Sequence, residues 1–307
     1  MFPLPECYFA SYPHQVFGPT VAIQAEALTW METLPETCLH AIVTDPPYTL
    51  KEYTPDEISR REEGRGGVWR IPPTFDGCRR APLPRFTVLT TSDLHRLETF
   101  FYQWGQLAHR VLLPGGHVFL STTPMVSPMI FAALVRAGLE FRGQIIRLVR
   151  TLRGGDRPRQ AEREFPLTCS LPRACHEPWG LFRRPLPRGM TVGECLRRFQ
   201  TGALRRLPDG RPFADVIPDG RTPVLERRLA PHPSLKPQSF LRRIVYAALP
   251  LGVGVVLDPF MGSGSTLAAA WAVGYAAVGT EYHAPWYRLS CQAIPALSRL
   301  SVQGYSP

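Results

Sequence analysis

The sequence predicts an open parallel α/β sheet covered by helices on both faces, and three observations predict it. Two apolar runs without polar alternation, Leu39 to Thr44 and Val253 to Leu257, read as strands buried on both faces. Helix-period and strand-like segments alternate through much of the chain. Each apolar run also delivers a distinctive loop, Asp45-Pro46-Pro47-Tyr48 after the first and Asp258-Pro259-Phe260-Met261-Gly262-Ser263-Gly264 after the second. In such sheets ligands bind beyond the carboxyl ends of the strands, where strand order reverses. Two loops far apart in sequence can therefore meet at one site.

The elements follow in order. Ser92 is positioned to cap a helix whose apolar residues Leu94, Leu97, Phe101, Trp104, Ala108 and Val111 recur at spacings of three and four. Pro114-Gly115-Gly116 predicts a turn into a strand, His117 to Leu120. Ser127-Pro128 starts a second helix and Gly138 ends it. Leu139 to Arg150 alternates loosely and reads as a strand. Towards the C-terminus the pattern gives a helix from Pro237 to Leu249, the strand at 253–257, a helix from Ser265 to Val273 and a strand from Tyr275 to Thr280.

Two stretches break this rhythm. Lys51 to Thr91 mixes Pro, Gly and both charges directly after Asp45-Pro46-Pro47-Tyr48, and is expected to be a mobile flap that closes over substrate. Thr151 to Pro231 is rich in Arg and Pro. It repeats one turn sequence, Pro208-Asp209-Gly210-Arg211 and Pro218-Asp219-Gly220-Arg221, around a strand-like Phe213 to Ile217, which predicts small β-hairpins.

Charge singles out the same region. Between Arg142 and Arg228 lie 19 basic and 9 acidic residues, an excess equal to the net charge of +10 of the whole chain. A GC-rich genome explains why lysine occurs only at Lys51 and Lys236, but not why the excess is clustered; the clustering favours a phosphate backbone as partner. No apolar stretch approaches a membrane span, and the Pro-rich, acid-containing N-terminus is not expected to be a signal peptide. The seven cysteines include no Cys-x-x-Cys pair, so neither a disulfide framework nor a zinc ribbon is indicated. Cys169, Cys175 and His176 lack a fourth ligand at a usual spacing, and no metal is expected.

The residues of the first loop suit an amine-bearing base. An exocyclic base nitrogen is a poor nucleophile because its lone pair is delocalised into the ring. Accepting its two N–H groups, one on the Asp45 carboxylate and one on the Pro46 carbonyl, favours a tetrahedral nitrogen with a directed lone pair. Proline fixes the geometry of Pro46 and of the residue before it. Tyr48 offers a ring on which a base taken out of a helix can stack. Such a site works by position and by charge placed where charge develops, without metal or covalent intermediate. In the second loop Gly262 and Gly264 allow close approach of a ligand, and the helix that follows directs N–H groups at its carboxylate end. Glu281, at the end of the next strand, is placed to accept ribose hydroxyls.

With these motifs in hand, the chain resembles the permuted β group of DNA amino-methyltransferases, in which the catalytic motif precedes the cofactor motif. Ala41 to Tyr48, Arg110 to Gly116, and His232-Pro233-Ser234-Leu235-Lys236-Pro237 running into the glycine loop carry the match. The resemblance implies a Rossmann-like, S-adenosyl-L-methionine-dependent methyltransferase sheet of circularly permuted motif order with an inserted target-recognition region. Residues 1–150 would form the catalytic part, 151–230 the recognition region and 231–307 the cofactor part. Asp45, Pro46, Pro47 and Tyr48 would hold the target base. Asp258, Pro259, Phe260, Gly262, Ser263, Gly264 and Glu281 would hold the cofactor, with Lys236 closing its methionine end. Glu26 stands where the family has Gly-Asp and would contact the cofactor's adenine; Arg147 to Arg150 also departs from the family, whose members carry Trp and Lys there. Arg183, Arg184, Arg197 and Arg198 are the expected DNA contacts.

The implied reaction is methyl transfer to the N6 amine of adenine in duplex DNA, since Asp rather than Ser opens the tetrapeptide. Cytosine N4 is the alternative within the same chemistry. An inactive DNA-binding relative is a third reading, which loss of Asp45, Tyr48 or the glycines would have signalled. RNA or protein amide methylation goes with an Asn-opened motif. The resemblance further implies a cytoplasmic protein of bacterial, phage or plasmid origin, with a homodimer and a cognate restriction endonuclease as candidate partners.

Overall fold

The computed structural model describes residues 5–47, 74–75, 78–79, 90–149, 163–168, 172 and 175–302. Tyr48 and nearly all of the expected flap at 51–91 lie outside them. In chain order the elements begin with β1 (His14–Phe17), β2 (Thr20–Ile23), α1 (Ala27–Thr33) and β3 (Leu39–Thr44). A two-residue ribbon follows, β4 (Thr74–Phe75) against β5 (Cys78–Arg79). Next come α2 (Thr91–Val111), β6 (Leu112–Ser121), α3 (Ser127–Arg136), β7 (Glu140–Leu148), β8 (His176–Arg183) and α4 (Val192–Phe199). The chain continues through β9 (Val216–Pro218), α5 (Val224–Leu229), α6 (Gln238–Ala248), β10 (Val255–Asp258), α7 (Ser265–Ala272), β11 (Ala276–Thr280) and α8 (Ala284–Ser298).

Nine strands form one sheet in the order β1-β2-β11-β10-β3-β6-β8-β7-β9. The five from β2 to β6 are parallel, and both faces of this centre are covered. Alternate strand residues therefore serve opposite layers. Ile42, Val118, Leu120 and Leu257 pack with Trp30 of α1, Phe101 and Trp104 of α2 and Ile130 of α3. Ala41, Val43, Phe119 and Val256 pack with Phe240 and Ile244 of α6 and Leu267 of α7. This double burial is why β3 and β10 read as largely apolar runs rather than as alternating ones. Each large side chain so buried contributes about 1.5–3 kcal/mol.

The sheet is mixed rather than wholly parallel. β8 is inserted antiparallel between β6 and β7, and β1 is antiparallel to β2. Both β8 and β9 come from the 151–230 segment, which thus shares the main sheet instead of standing apart from it. The expected hairpins are absent among the described residues: β9 pairs in parallel with β7, Arg147 opposite Ile217. Asp219 of the second repeated turn fixes that edge by accepting a hydrogen bond from Arg147 Nε at 2.7 Å.

Two local differences have clear causes. The cap of α2 is Thr90, not Ser92. Thr90 Oγ1 accepts from the Asp93 N–H at 3.2 Å while Asp93 Oδ2 accepts from the Thr90 N–H at 2.8 Å. This reciprocal box needs an acid three residues on, which Ser92 lacks. Nor does Pro114-Gly115-Gly116 precede β6; it bulges within it. The register jumps from Leu39 opposite Leu112 to Ala41 opposite His117. Gly115 has φ +78°, and a Cβ there would lie 2.7 Å from Cys195 Sγ of α4. Among the described residues no helix is long and apolar enough to cross a membrane.

Candidate active site

β10 is followed through α7 by β11 on one side, while β3 leads through α2 to β6 on the other. Strand order therefore reverses between β10 and β3, and both loops open onto that crevice. The two strands are paired, Leu257 opposite Ile42. Thr44 Oγ1 donates to Asp258 Oδ1 at 2.7 Å, and the Phe260 N–H donates to the same oxygen at 3.2 Å. Burial raises the Asp258 carboxyl to about 6; Thr266, Thr44 and Phe260 oppose the rise and Asp45 adds to it.

That shift carries a stability cost. The unfolded carboxyl ionises near its ordinary 3.8 and the folded one at about 6, so this group's contribution is best below the lower value and is lost as pH rises through the upper. Asp258→Asn should match the parent in urea unfolding near pH 4 and exceed it near pH 7.5 by on the order of 1–3 kcal/mol. A difference independent of pH would show that Asp258 does not carry the shift.

Asp45, one residue beyond β3, sits at the end of a buried chain of charges. Its Oδ2 accepts from Lys236 Nζ at 2.6 Å, and Lys236 Nζ lies 3.4 Å from Glu177 Oε2. Arg147 Nη1 is 3.5 Å from the same Glu177 oxygen. Glu177 Oε1 accepts from Trp179 Nε1 at 2.8 Å. Asp45 Oδ1, by contrast, is buried with no hydrogen-bond partner among the described residues, as are Thr122 Oγ1 and Thr123 Oγ1 just beyond β6. Burial pushes the Asp45 carboxyl above its ordinary value; Lys236 and the Ser121 hydroxyl oppose this and Glu177 reinforces it. Burial would raise Glu177 too, but Lys236, Arg147 and Trp179 together hold it below its usual range.

The glycine loop is shaped mainly by protein neighbours. Gly264 has φ +77°, and a Cβ there would lie 2.4 Å from Ile294 Cγ1 of α8; Gly262 has φ +52°, and its Cβ would lie 3.1 Å from His232 Cε1. The close approach read from Gly264 is thus to a helix. Glu281 Oε2 accepts from the Gly262 N–H at 3.1 Å and Oε1 from the His283 N–H at 2.7 Å. Burial raises the Glu281 carboxyl against those two donors. Phe260 packs beneath the loop against Trp104, ring centroids 6.3 Å apart, and Pro259 O accepts from Thr280 Oγ1 at 2.7 Å. Ser263 is buried.

The structure thus gathers Asp45, Pro46, Pro47, Lys236, Asp258 to Gly264 and Glu281 at the carboxyl edge of the sheet. Lys236 faces Asp45, the expected base site. Glu26 lies beyond β2 at this edge, but its carboxylate caps α1, accepting from Leu28 N at 3.1 Å and Thr29 N at 2.8 Å. The four arginines are elsewhere. Arg183 pairs opposite His117 at the start of the β6 ladder, the edge remote from the site, and is 2.6 Å from Glu140 Oε2. Arg184 donates to the carbonyl of Leu112. Arg197 and Arg198 are exposed, on a helix whose Cys195 Sγ reaches Pro114 O at 3.2 Å, again at the remote edge. Sequence reasoning missed Glu177 and used Asp219 only as a turn residue. The one available signal was an acid at the head of a strand that ends in buried aromatics.

Residues 184–291 match the N6_N4_Mtase family, DNA methylase. The match takes in Lys236, the glycine loop and Glu281, and stops short of Asp45. A 93-residue stretch is 30% identical to the Type II methyltransferase M2.DpnII of Streptococcus pneumoniae, over 30% of this chain and 34% of that protein, so the match spans about a third of the relative's length. Two solved structures share the fold. The Thermus thermophilus protein TTHA0409, complexed with S-adenosyl-L-methionine, is 18% identical with a TM-score of 0.55, over 90% of this chain and 93% of that one. The PvuII DNA methyltransferase, cytosine-N4-specific, is 12% identical with a TM-score of 0.59, over 96% and 91%. The resemblance to the N6-adenine/N4-cytosine amino-methyltransferases is borne out over the matched residues, and the fold is the Rossmann-like methyltransferase sheet.

Proposed function

We propose that the protein is a DNA amino-methyltransferase that uses S-adenosyl-L-methionine to modify the exocyclic N6 of adenine in duplex DNA. The observation that carries the reading is Asp45: a carboxylate with one buried oxygen unpartnered among the described residues, followed by Pro46, at the switch point beside the glycine loop. The crevice also suits a polar cofactor, since the unpartnered hydroxyls of Thr122 and Thr123 and the carboxylate of Glu281 stand at the same edge. Glu281 would hold ribose hydroxyls, and Asp258 to Gly264 would cradle the cofactor's remaining polar groups. When bound, S-adenosyl-L-methionine supplies an electrophilic methyl group.

The chain's residues do the rest. Asp45 Oδ1 accepts one amine N–H and the Pro46 carbonyl the other, which orients the lone pair. Positive charge then develops on the nitrogen within reach of the carboxylate, where a preorganised anion is worth most. A carboxyl raised by burial is also suited to take the proton that the nitrogen sheds. Adenine is preferred on the Asp-opened tetrapeptide. Incubation with duplex DNA and cofactor, digestion to nucleosides and mass spectrometry test this: N6-methyldeoxyadenosine is expected, N4-methyldeoxycytidine would move the assignment to cytosine, and no methylated base would overturn it. A homodimer and a cognate restriction endonuclease remain the partners expected from the resemblance.

The placement of the arginines supports a different choice of DNA contacts. Arg221 belongs to the turn after β9, at the carboxyl edge of the sheet, and is exposed, whereas Arg197 and Arg198 lie on α4 at the opposite edge. Arg221→Ala should weaken DNA binding and reduce its salt slope by about one unit. The double change Arg197→Ala, Arg198→Ala should leave both unchanged. The opposite pattern in binding titrations at several salt concentrations would return the DNA surface to α4.

A further inference from the structure

The mechanism uses one oxygen of Asp45, and the geometry around the other points to a residue that no motif assigned. We propose that Glu177 is a positioning residue for Asp45: it holds the Lys236 ammonium on the Oδ2 side, so that Oδ1 alone meets the incoming amine. The inference rests on the reading of Asp45 as the amine's acceptor. Lysine is a flexible point charge with three donors, and beside a lone carboxylate it can bridge both oxygens. Here it is stretched between two carboxylates, 2.6 Å from Asp45 Oδ2 and 3.4 Å from Glu177 Oε2. Among the described residues no group makes a hydrogen bond to Asp45 Oδ1.

Glu177 can anchor the ammonium because it is itself fixed. Trp179 Nε1 donates to its Oε1 at 2.8 Å, and the Ser121 hydroxyl, 3.5 Å from the same oxygen, is shared between Glu177 and the Asp45 carboxylate. Behind it, Arg147 is clamped by Asp219 Oδ2 at 2.7 Å and Gly220 O at 3.0 Å, with its guanidinium 5.4 Å from the centre of the Phe240 ring. Among the described residues the charged groups that face Asp45 are Lys236 before α6, Glu177 on β8 and Asp258 on β10. Arg147 on β7 stands behind Glu177, and His232, lowered by burial and by Lys236 to about 4, faces Lys236 as a neutral ring. A cluster that merely stapled β7, β8 and the 232–237 loop together would resist unfolding but would not tune Asp45.

The test is the titration of the Asp45 carboxyl, followed by 13C NMR of aspartate-labelled protein without cofactor or DNA and assigned with Asp45→Asn. Lys236→Met, which removes the cation, should move the Asp45 midpoint up by about one unit or more, and Glu177→Gln, which removes the second anion and leaves Lys236 to Asp45, should move it down by about as much. Glu177→Asp, which withdraws the charge by one methylene, should give a smaller downward shift and decides the matter if the Gln variant does not fold. Single-turnover methyl transfer should show its acid limb displaced the same way, with the plateau in Glu177→Gln lowered about tenfold or more as the bridged Oδ1 closes. An Asp45 midpoint unmoved in both Glu177 variants, or moved upwards, overturns the proposal. If the midpoints move as expected but the parent protein methylates no DNA, the functional reading fails while the positioning stands. Methylation by the parent with unmoved midpoints defeats the positioning alone.

Discussion

Asp45→Ala should lower the single-turnover rate of methyl transfer by at least on the order of 10²–10³ while leaving DNA affinity nearly intact, the range typical of losing one preorganised polar stabiliser. The carboxylate is placed where positive charge grows on the amine, so its loss falls on the transition state rather than on the ground-state complex. The surrounding charges keep the variant interpretable. Lys236 retains Glu177 at 3.4 Å, so removing Asp45 does not strand a buried cation. Asp45→Asn is the sharper companion: it keeps the shape and one acceptor oxygen but discards the charge, and should recover little of the rate. Equal turnover of the Ala variant and the parent would mean that the amine is activated elsewhere.

What the sequence disclosed and what it hid divide along a physical line. β3 is legible to the residue because a strand buried on both faces is largely apolar, as Leu39, Ala41, Ile42 and Val43 are between His40 and Thr44. The meeting of the two loops was legible because it follows from strand order, a rule of topology rather than of side chains. The apolar pattern begins two residues before β10 because Val253 and Gly254 extend the run without joining the ladder. β8 was hidden for a different reason. Its place between β6 and β7 is set by long-range pairing, which local pattern does not encode. Arginine shows the same limit: the clustering of charge can be counted, but the Arg183 side chain turns inward to Glu140, 43 positions earlier in the chain. The link from Lys236 to Asp45 spans 191 positions, and no motif spacing could reveal it.

Gly262→Val should reduce S-adenosyl-L-methionine binding below detection by calorimetry, for reasons more specific than lost space. Gly262 has φ +52°, a region that a β-branched residue occupies only at a cost of about 1–3 kcal/mol. Its Cβ would already lie 3.1 Å from His232 Cε1, and the γ-methyls of valine need room beyond that. His232 has little freedom to yield, since its ring packs edge-on against Trp286 at 4.6 Å and its Nδ1 accepts from the Ser234 N–H at 3.2 Å. Relief must therefore come from the loop, and moving the loop pulls the Gly262 N–H away from Glu281 Oε2, now 3.1 Å distant. One substitution then disturbs both the cradle and the acid proposed to hold the ribose. Gly262→Ala, which meets the same φ with less bulk, should bind measurably but more weakly than the parent. Adding His232→Ala to Gly262→Val should restore part of the lost thermal stability and of the affinity, because it removes the clash but leaves the backbone strain. A Val variant that folds as the parent does and binds the cofactor equally well would show that this loop does not hold it.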